Sequence, residues 1–277
     1  MWFTECGNAC WIGYASPAGT LTYLPHRFSN LDSLAVASDS SVWFTEGKGI
    51  VTKPARPWVA KTDASGAIHT YYLGPVQTGY FISAIVAGPD GRLWFNNSGK
   101  ISAITTAGQI TNYSATALAL GSGQNELVFG PGGRLFYSDA TTYHLCYVST
   151  SGTGKCLSSG GEPLMQYGSV LFAQLSTGTV ALDSALHVTP VSNPGFVPFV
   201  ETSANGLWGI VGGLPPNDGL TQLHYANGAL SGITFPETDA ERRYGQLIDR
   251  AVYASDGHVW AHGALELSLG DYLIRMR

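Results

Sequence analysis

One apolar-aromatic step recurs along the chain after a turn: MWFTE at 1–5, VWFTE at 42–46, LWFNN at 93–97, LFYSD at 135–139, VLFAQ at 170–174, LWGIV at 207–211 and VWAHG at 259–263. No other feature limits the fold as strongly. The anchors Trp2, Trp43, Trp94, Phe136, Leu171, Trp208 and Trp260 lie about 35 to 52 positions apart, which brackets the roughly 40 to 45 residues of a four-stranded propeller blade. Each copy has the same surroundings. A β-branched stretch precedes a turn such as GPDG (88–91), GPGG (130–133), SANG (203–206) or SDG (255–257); the anchor strand, another strand, a Gly turn and a short last strand follow. In the third copy these are SAIVA, RLWFN, ISAIT and QITNY, the pattern of a four-stranded antiparallel blade.

The prediction is an all-β, seven-bladed β-propeller of four-stranded antiparallel blades, one domain over 1–277, with blades at about 1–25, 31–74, 81–115, 124–159, 162–192, 197–236 and 246–277. Composition agrees: only 12% of the 277 residues are charged, 44% are apolar and 35 are glycine, which suits tightly turned strands better than helices. The Trp and Phe anchors read as packing between blades. Asp39, Asp90 and Asp256 read as turn residues.

The net charge of −5 and the lack of a Lys/Arg cluster interleaved with aromatics leave no nucleic-acid face. No apolar run reaches the roughly 18 residues of a membrane span. Neither a G-x-S-x-G elbow nor a phosphate loop is present; TSGTGKC (150–156) lacks the glycine and hydroxyl positions that a phosphate loop needs.

The stretch GPDGRLWFNNSGKISAITTAGQITNY (88–113), with WFTE at 2–5 and 43–46, resembles the repeat of the virginiamycin B lyase (streptogramin lyase) family, over nearly the whole chain as degenerate copies. The resemblance implies a seven-bladed propeller that opens a cyclic depsipeptide ester by metal-assisted elimination, with a His base, Glu ligands and magnesium. The family's important His residues begin the innermost strands of the last two blades. Here those stretches read VPFVETS (197–203) and IDRAVYA (248–254). Val197, Phe199, Asp249 or Arg250 stand in the His places, and the last blade's Glu would fall near Gly263 or Ala264. The resemblance therefore carries the scaffold and not the catalytic set.

In such a blade the innermost strand starts and the second strand ends on one face, around the central channel. The second-strand ends are Glu5, Glu46, Asn97, Asp139, Gln174, Val211 and Gly263; the innermost starts are Asp32, Ser83, Asn125 and Asp249. Glu5, Asp32, Glu46 and Asp249 are expected to crowd one arc and to hold Mg²⁺ or Ca²⁺, since converging carboxylates repel without a cation and an all-oxygen set suits a hard one. Asn97, Asn125, Asp139 and Arg250 are expected ligand contacts, together with Arg56 and Trp58 on the long 47–58 loop. His144 and His262 are the candidate bases on this face, although pleat alternation turns His262 away from the Glu5 type of position. The expected partner is a small molecule or saccharide bound by a monomer. The alternative is a non-catalytic binding propeller.

The four cysteines pair locally. Cys146 and Cys156 flank a turn, opposite each other on antiparallel strands, and Cys6 and Cys10 bracket CGNAC; disulfides are expected at both, which indicates a periplasmic or extracellular protein. Because 1–5 reads as a second strand, and 271–277 as a third, a precursor extending upstream of Met1 is also expected.

Overall fold

The computed structural model describes residues 1–6, 9–29, 31–45, 58–63, 66–73, 82–97, 100–113, 127–139, 142–192, 196–201, 206–211, 219–234, 246–253, 259–265 and 271–276. These residues are all-β. Six antiparallel sheets account for them. β1 (Trp2–Cys6), β2 (Cys10–Ala15) and β3 (Leu21–Tyr23) form the first, in that order, and β4 (Ser33–Val36), β5 (Val42–Thr45), β6 (Trp58–Thr62) and β7 (Ile68–Tyr72) the second. β8 (Ile82–Ala87), β9 (Leu93–Asn97), β10 (Lys100–Ile104) and β11 (Ile110–Tyr113) form the third. A seven-stranded sheet follows: β12 (Val128–Gly130), β13 (Arg134–Ser138), β14 (His144–Ser149), β15 (Gly154–Tyr167), β16 (Val170–Leu175), β17 (Gly178–Leu182) and β18 (Val188–Pro190). The last two are β19 (Phe196–Glu201), β20 (Leu207–Val211), β21 (Gly219–Ala226) and β22 (Ala229–Thr234), then β23 (Gln246–Tyr253), β24 (Val259–Leu265) and β25 (Asp271–Met276).

The sheet of seven departs from the four-stranded expectation because β15 is long. Its first part pairs with β14 through Cys156, Lys155 and Gly154, and it continues through Tyr167 to neighbour β16, so one strand ends one repeat and begins the next. The chain divides into two compact units, Met1–Pro163 and Leu164–Arg277. In the first, β4 lies beside β8; in the second, β19 lies beside β23. First strands of successive sheets are thus neighbours.

The repeat is built on the turn between third and fourth strands. Ser16, Asp63, Thr105, Ser149 and Asp183 each accept, on the side-chain oxygen, the backbone N–H four residues later, at 2.9–3.2 Å. Each carbonyl also accepts the N–H three residues on. The fourth turn residue is therefore forced to positive φ: Gly19, Gly66, Gly108 and Gly152 supply it, while Leu186 occupies it at φ 66°. This turn corrects one alignment. Leu171 pairs with Leu182, which precedes Asp183, as Leu93 pairs with Ile104, which precedes Thr105. The anchor of the fifth repeat is accordingly Phe172, not Leu171, and Phe172 packs on Tyr167 and Tyr225.

In the first unit, anchors lock one repeat to the next. Trp43 stacks on Tyr71 and Trp94 on Tyr113, at ring centroid distances of 5.3 and 5.0 Å. A Cβ at Gly108 would overlap the Tyr71 ring, and one at Gly152 the Tyr113 ring, so the neighbouring turn has glycine for closeness as well as for φ. A cation spans each joint. Lys61 Nζ donates to Thr106 O at 2.6 Å and lies over Trp43. Arg92 donates to Asp90 Oδ2 (2.7 Å), Tyr113 Oη (2.6 Å) and Thr150 O (2.7 Å), with its guanidinium 4.7 Å from the Trp94 ring centre. Asp90 also accepts from Trp94 Nε1 at 3.2 Å, and Asp39 accepts from Ser41 N at 3.0 Å. Both aspartates are turn acceptors; positive φ falls one residue later, at Ser40 and Gly91. Asp256 lies outside the described residues.

Two stability predictions follow from these contacts. Leu186→Gly is expected to stabilise the protein by about 1 kcal/mol, by removing a left-handed leucine, whereas Gly152→Ala destabilises it; thermal melts of the two variants should move in opposite directions. Arg92→Ala is expected to cost about 2–3 kcal/mol. Arg92→Lys should recover less than half of that in denaturant titrations, because a single ammonium cannot reproduce the three-way fork.

Candidate functional site

The second strands end, and the first strands begin, at one end of each sheet, opposite the glycine turns. Register shows this directly: Asp32 N donates to Thr45 O at 3.1 Å, and Ile82 stands opposite Asn97. Of the expected site residues, Glu46, Arg56 and Asn125 lie outside the described residues. For Asp249, Arg250 and His262 the backbone alone is described.

Glu5 is exposed and turned along its own sheet. Its Oε2 accepts from Tyr23 Oη at 2.5 Å, two strands away on β3. That bond, then burial and the charge of Glu5, hold the Tyr23 phenol above its ordinary value. Asp32 is half-buried beside Leu31. Leu31 is held by the Cys6–Cys10 disulfide: its N–H donates to Cys10 Sγ at 3.4 Å. The disulfide thus braces the strand entry at Asp32.

Asn97 occupies the position equivalent to Glu5 and behaves alike. It is buried, and its Nδ2 donates to Ser102 Oγ (3.3 Å) and Asn112 Oδ1 (3.4 Å), while Ser102 Oγ donates to the same Asn112 oxygen at 2.6 Å. In the next repeat the positions of Ser102 and Asn112 are held by Cys146 and Cys156, which pair in register and form the second disulfide. Asp139, above them, is buried; its Oδ1 accepts from Thr142 N (2.7 Å) and Thr142 Oγ1 (2.9 Å). Two residues before it, the fully buried Tyr137 hydroxyl has no hydrogen-bond partner among the described residues. Burial, then the Asp139 charge, push that phenol far above its usual range. His144 is half-buried at the start of β14, and its carbonyl accepts from Asp139 N at 2.9 Å.

Trp58, expected to lean over the carboxylates, packs edge-on against Phe44 at 5.9 Å, in an apolar cluster with Cys10, Ile12, Leu31 and Ala60. Among the described residues no three His, Cys, Asp or Glu side chains stand close enough to hold a metal ion.

The irregular first strands are a feature that sequence reasoning missed. Pairing shifts between Ser83 and Ile85 in β8, between Pro198 and Val200 in β19, and between Ile248 and Arg250 in β23. The residues left over are Ala84, Phe199 and Asp249. In β8, Ala84 takes φ 45° and Ser33 Oγ of the neighbouring sheet accepts Ile85 N at 3.2 Å. In β23 the shift sets Arg250 opposite His262. Bulges re-aim side chains and gather beside functional sites, and no residue type announces these three.

No family model and no curated sequence matches the chain. Solved structures do. Virginiamycin B lyase from Staphylococcus aureus, in selenomethionine form, is 18% identical over 96% of this chain and 90% of its own, with a TM-score of 0.63. A streptogramin B lyase is 15% identical over 99% and 93%, with a TM-score of 0.66. A catalytically inactive variant of the Staphylococcus aureus enzyme, with quinupristin, is 19% identical over 94% and 85%, with a TM-score of 0.62. The resemblance read from the WFTE repeat is therefore also a resemblance in fold, to lyase-type propellers.

Replacing Glu5 by Gln should bring the Tyr23 ionisation back toward about 10, measured by ultraviolet titration of phenolate. A raised native phenol favours the protonated form, so the stability difference between wild type and variant should be full below that pH and vanish as pH rises through the raised native value.

Proposed function

We propose that the chain is an extracytoplasmic, lyase-like propeller of seven blades, four-stranded except at the chain ends, that binds a small molecule or saccharide where its second strands end. The observation that carries this reading is the likeness in fold to virginiamycin B and streptogramin B lyases over nearly the full length of both chains. The two disulfides support an oxidising compartment, and no helix among the described residues is long and apolar enough to cross a membrane.

The proposed chemistry is elimination at an ester, with a base taking the proton α to the carbonyl and the ester oxygen leaving. His262, opposite Arg250 and next to the bulge at Asp249, is the first candidate base, and His144 the second. Mg²⁺ or Ca²⁺ would be held by Asp32 and Glu46, whose all-oxygen chemistry suits a hard cation. Glu5 fits this set less well, because its carboxylate is engaged by Tyr23. Bound there, the ion would draw charge from the substrate carbonyl.

The residues at the bulges favour a second reading. Val197 or Phe199, and Asp249 or Arg250, would stand where the resembled family places histidines, which supports a binding propeller without the elimination chemistry. Incubation with quinupristin separates the two. Elimination is expected to yield a linear product of unchanged mass with a new conjugated alkene absorbance, lost in His262→Ala and on chelation. Hydrolysis would add one water. Quinupristin recovered intact, yet bound in calorimetry, would establish the binding reading.

A further inference from the structure

We propose that Tyr143, with His144 and Glu162 beside it, forms an aromatic platform for a neutral saccharide ring at the same end of the first unit; the inference deepens the ligand-binding reading and rests on it. Tyr143 has φ 56°, a left-handed conformation that strains a bulky L-residue relative to glycine. It is also 71% exposed. Among the described residues four other non-glycine residues take positive φ, and their circumstances differ: Ser40 and Asn227 are small polar turn residues, Ala84 is the bulge, and Leu186 is half-buried. Of these five, Tyr143 alone combines the strain with a large aromatic ring in solvent. Neither its ring nor its hydroxyl has a partner among the described residues, so no side-chain contact with them offsets the strain.

The backbone nevertheless holds Tyr143 in place from several directions. Its N–H donates to Asp139 O at 2.6 Å, and its carbonyl accepts from Gly161 N at 2.7 Å. Asp139 in turn fixes Thr142 by two bonds, and Ser138 Oγ donates to Gly161 O at 2.7 Å. Gly160 permits the approach, since a Cβ there would lie 3.2 Å from the Tyr143 carbonyl. A ring presented on such a braced turn loses little freedom when it is covered, which is the property that makes rigid tyrosines effective contact residues.

The neighbours select the ligand. Glu162, exposed, follows Gly161 in β15, and His144 stands opposite Gly160. An aromatic face covers the C–H side of a pyranose, a carboxylate accepts from paired hydroxyls, and an imidazole donates or accepts. The carboxylate and the net charge of −5 disfavour a uronate, so the ring is a neutral one.

Calorimetric titration with cellohexaose, maltohexaose and mannohexaose, with an oligogalacturonate for contrast, tests the proposal on the full chain. At least one neutral oligosaccharide should bind better than the oligogalacturonate. Tyr143→Ala is expected to weaken that binding by about tenfold, Tyr143→Trp to retain it, and Glu162→Gln to weaken it. Tyr143→Gly should lose binding while melting higher than wild type, which separates loss of the platform from loss of the fold. Equal binding by Tyr143→Ala would overturn the platform and leave the ligand reading standing. Binding of quinupristin without any oligosaccharide would do the same, and binding of neither would overturn both.

Discussion

The joint between an anchor indole, the tyrosine of its own outermost strand and the glycine turn of the next repeat is what the first unit depends on. Trp94, Tyr113 and Gly152 make it once, and Trp43, Tyr71 and Gly108 make it again. A sheet covered by neighbours on both faces needs a spacing that repeats, and these joints set it by contact between a flat ring and a residue without a Cβ. The cation over each indole adds direction. Lys61 and Arg92 come from different strands, yet reach equivalent carbonyls, Thr106 and Thr150. Each cation is thereby partly desolvated against an aromatic face while donating to an oxygen that the turn leaves free, an arrangement worth more than an exposed ion pair.

All of this lies at one end of the sheets, and the candidate site lies at the other. There the same three positions are filled in three ways: Glu5, Gly13 and Tyr23 in the first repeat; Asn97, Ser102 and Asn112 in the third; Asp139 with the Cys146–Cys156 disulfide in the fourth. The first two join the second strand to the fourth across the sheet, and the last joins the third to the fourth. The first two use hydrogen bonds, and the last is covalent. Polar side chains at second-strand ends therefore have a structural task close to hand, and being at that end does not by itself make a residue a ligand contact. Tyr143 stands apart because, among the described residues, nothing engages its side chain.

The repeat, the strand order and both disulfides were legible in the sequence because each depends on local pattern: alternation, turn residues and cysteines placed symmetrically about a hairpin. The joint was half legible. The indoles announce themselves, but nothing in the sequence marks Arg92 and Lys61, since a partner in the next repeat leaves no local signal. The anchor of the fifth repeat is Phe172 and not Leu171 for a related reason. In VLFAQ both Leu171 and Phe172 are apolar, and only the turn at Asp183 decides which of them faces the neighbouring sheet. Trp58 ends the long 47–58 loop in the sequence, whereas its ring is drawn into the cluster around Phe44.

The bulges explain why chemistry transfers less readily than fold at this level of identity. A strand with regular pairing keeps its faces over any number of residues, so aligning the repeats aligns the side chains. One extra residue in β19 or β23 breaks that correspondence where the first strand enters. Val197 and Phe199, or Asp249 and Arg250, are then not alternative readings of one place; they stand on either side of the shift or within it. His262 acquires its neighbour Arg250 through the shift, not through the repeat. Any chemistry at this end follows from where the pairing slips, and the scaffold motif, which belongs to the regular strands, is silent about it.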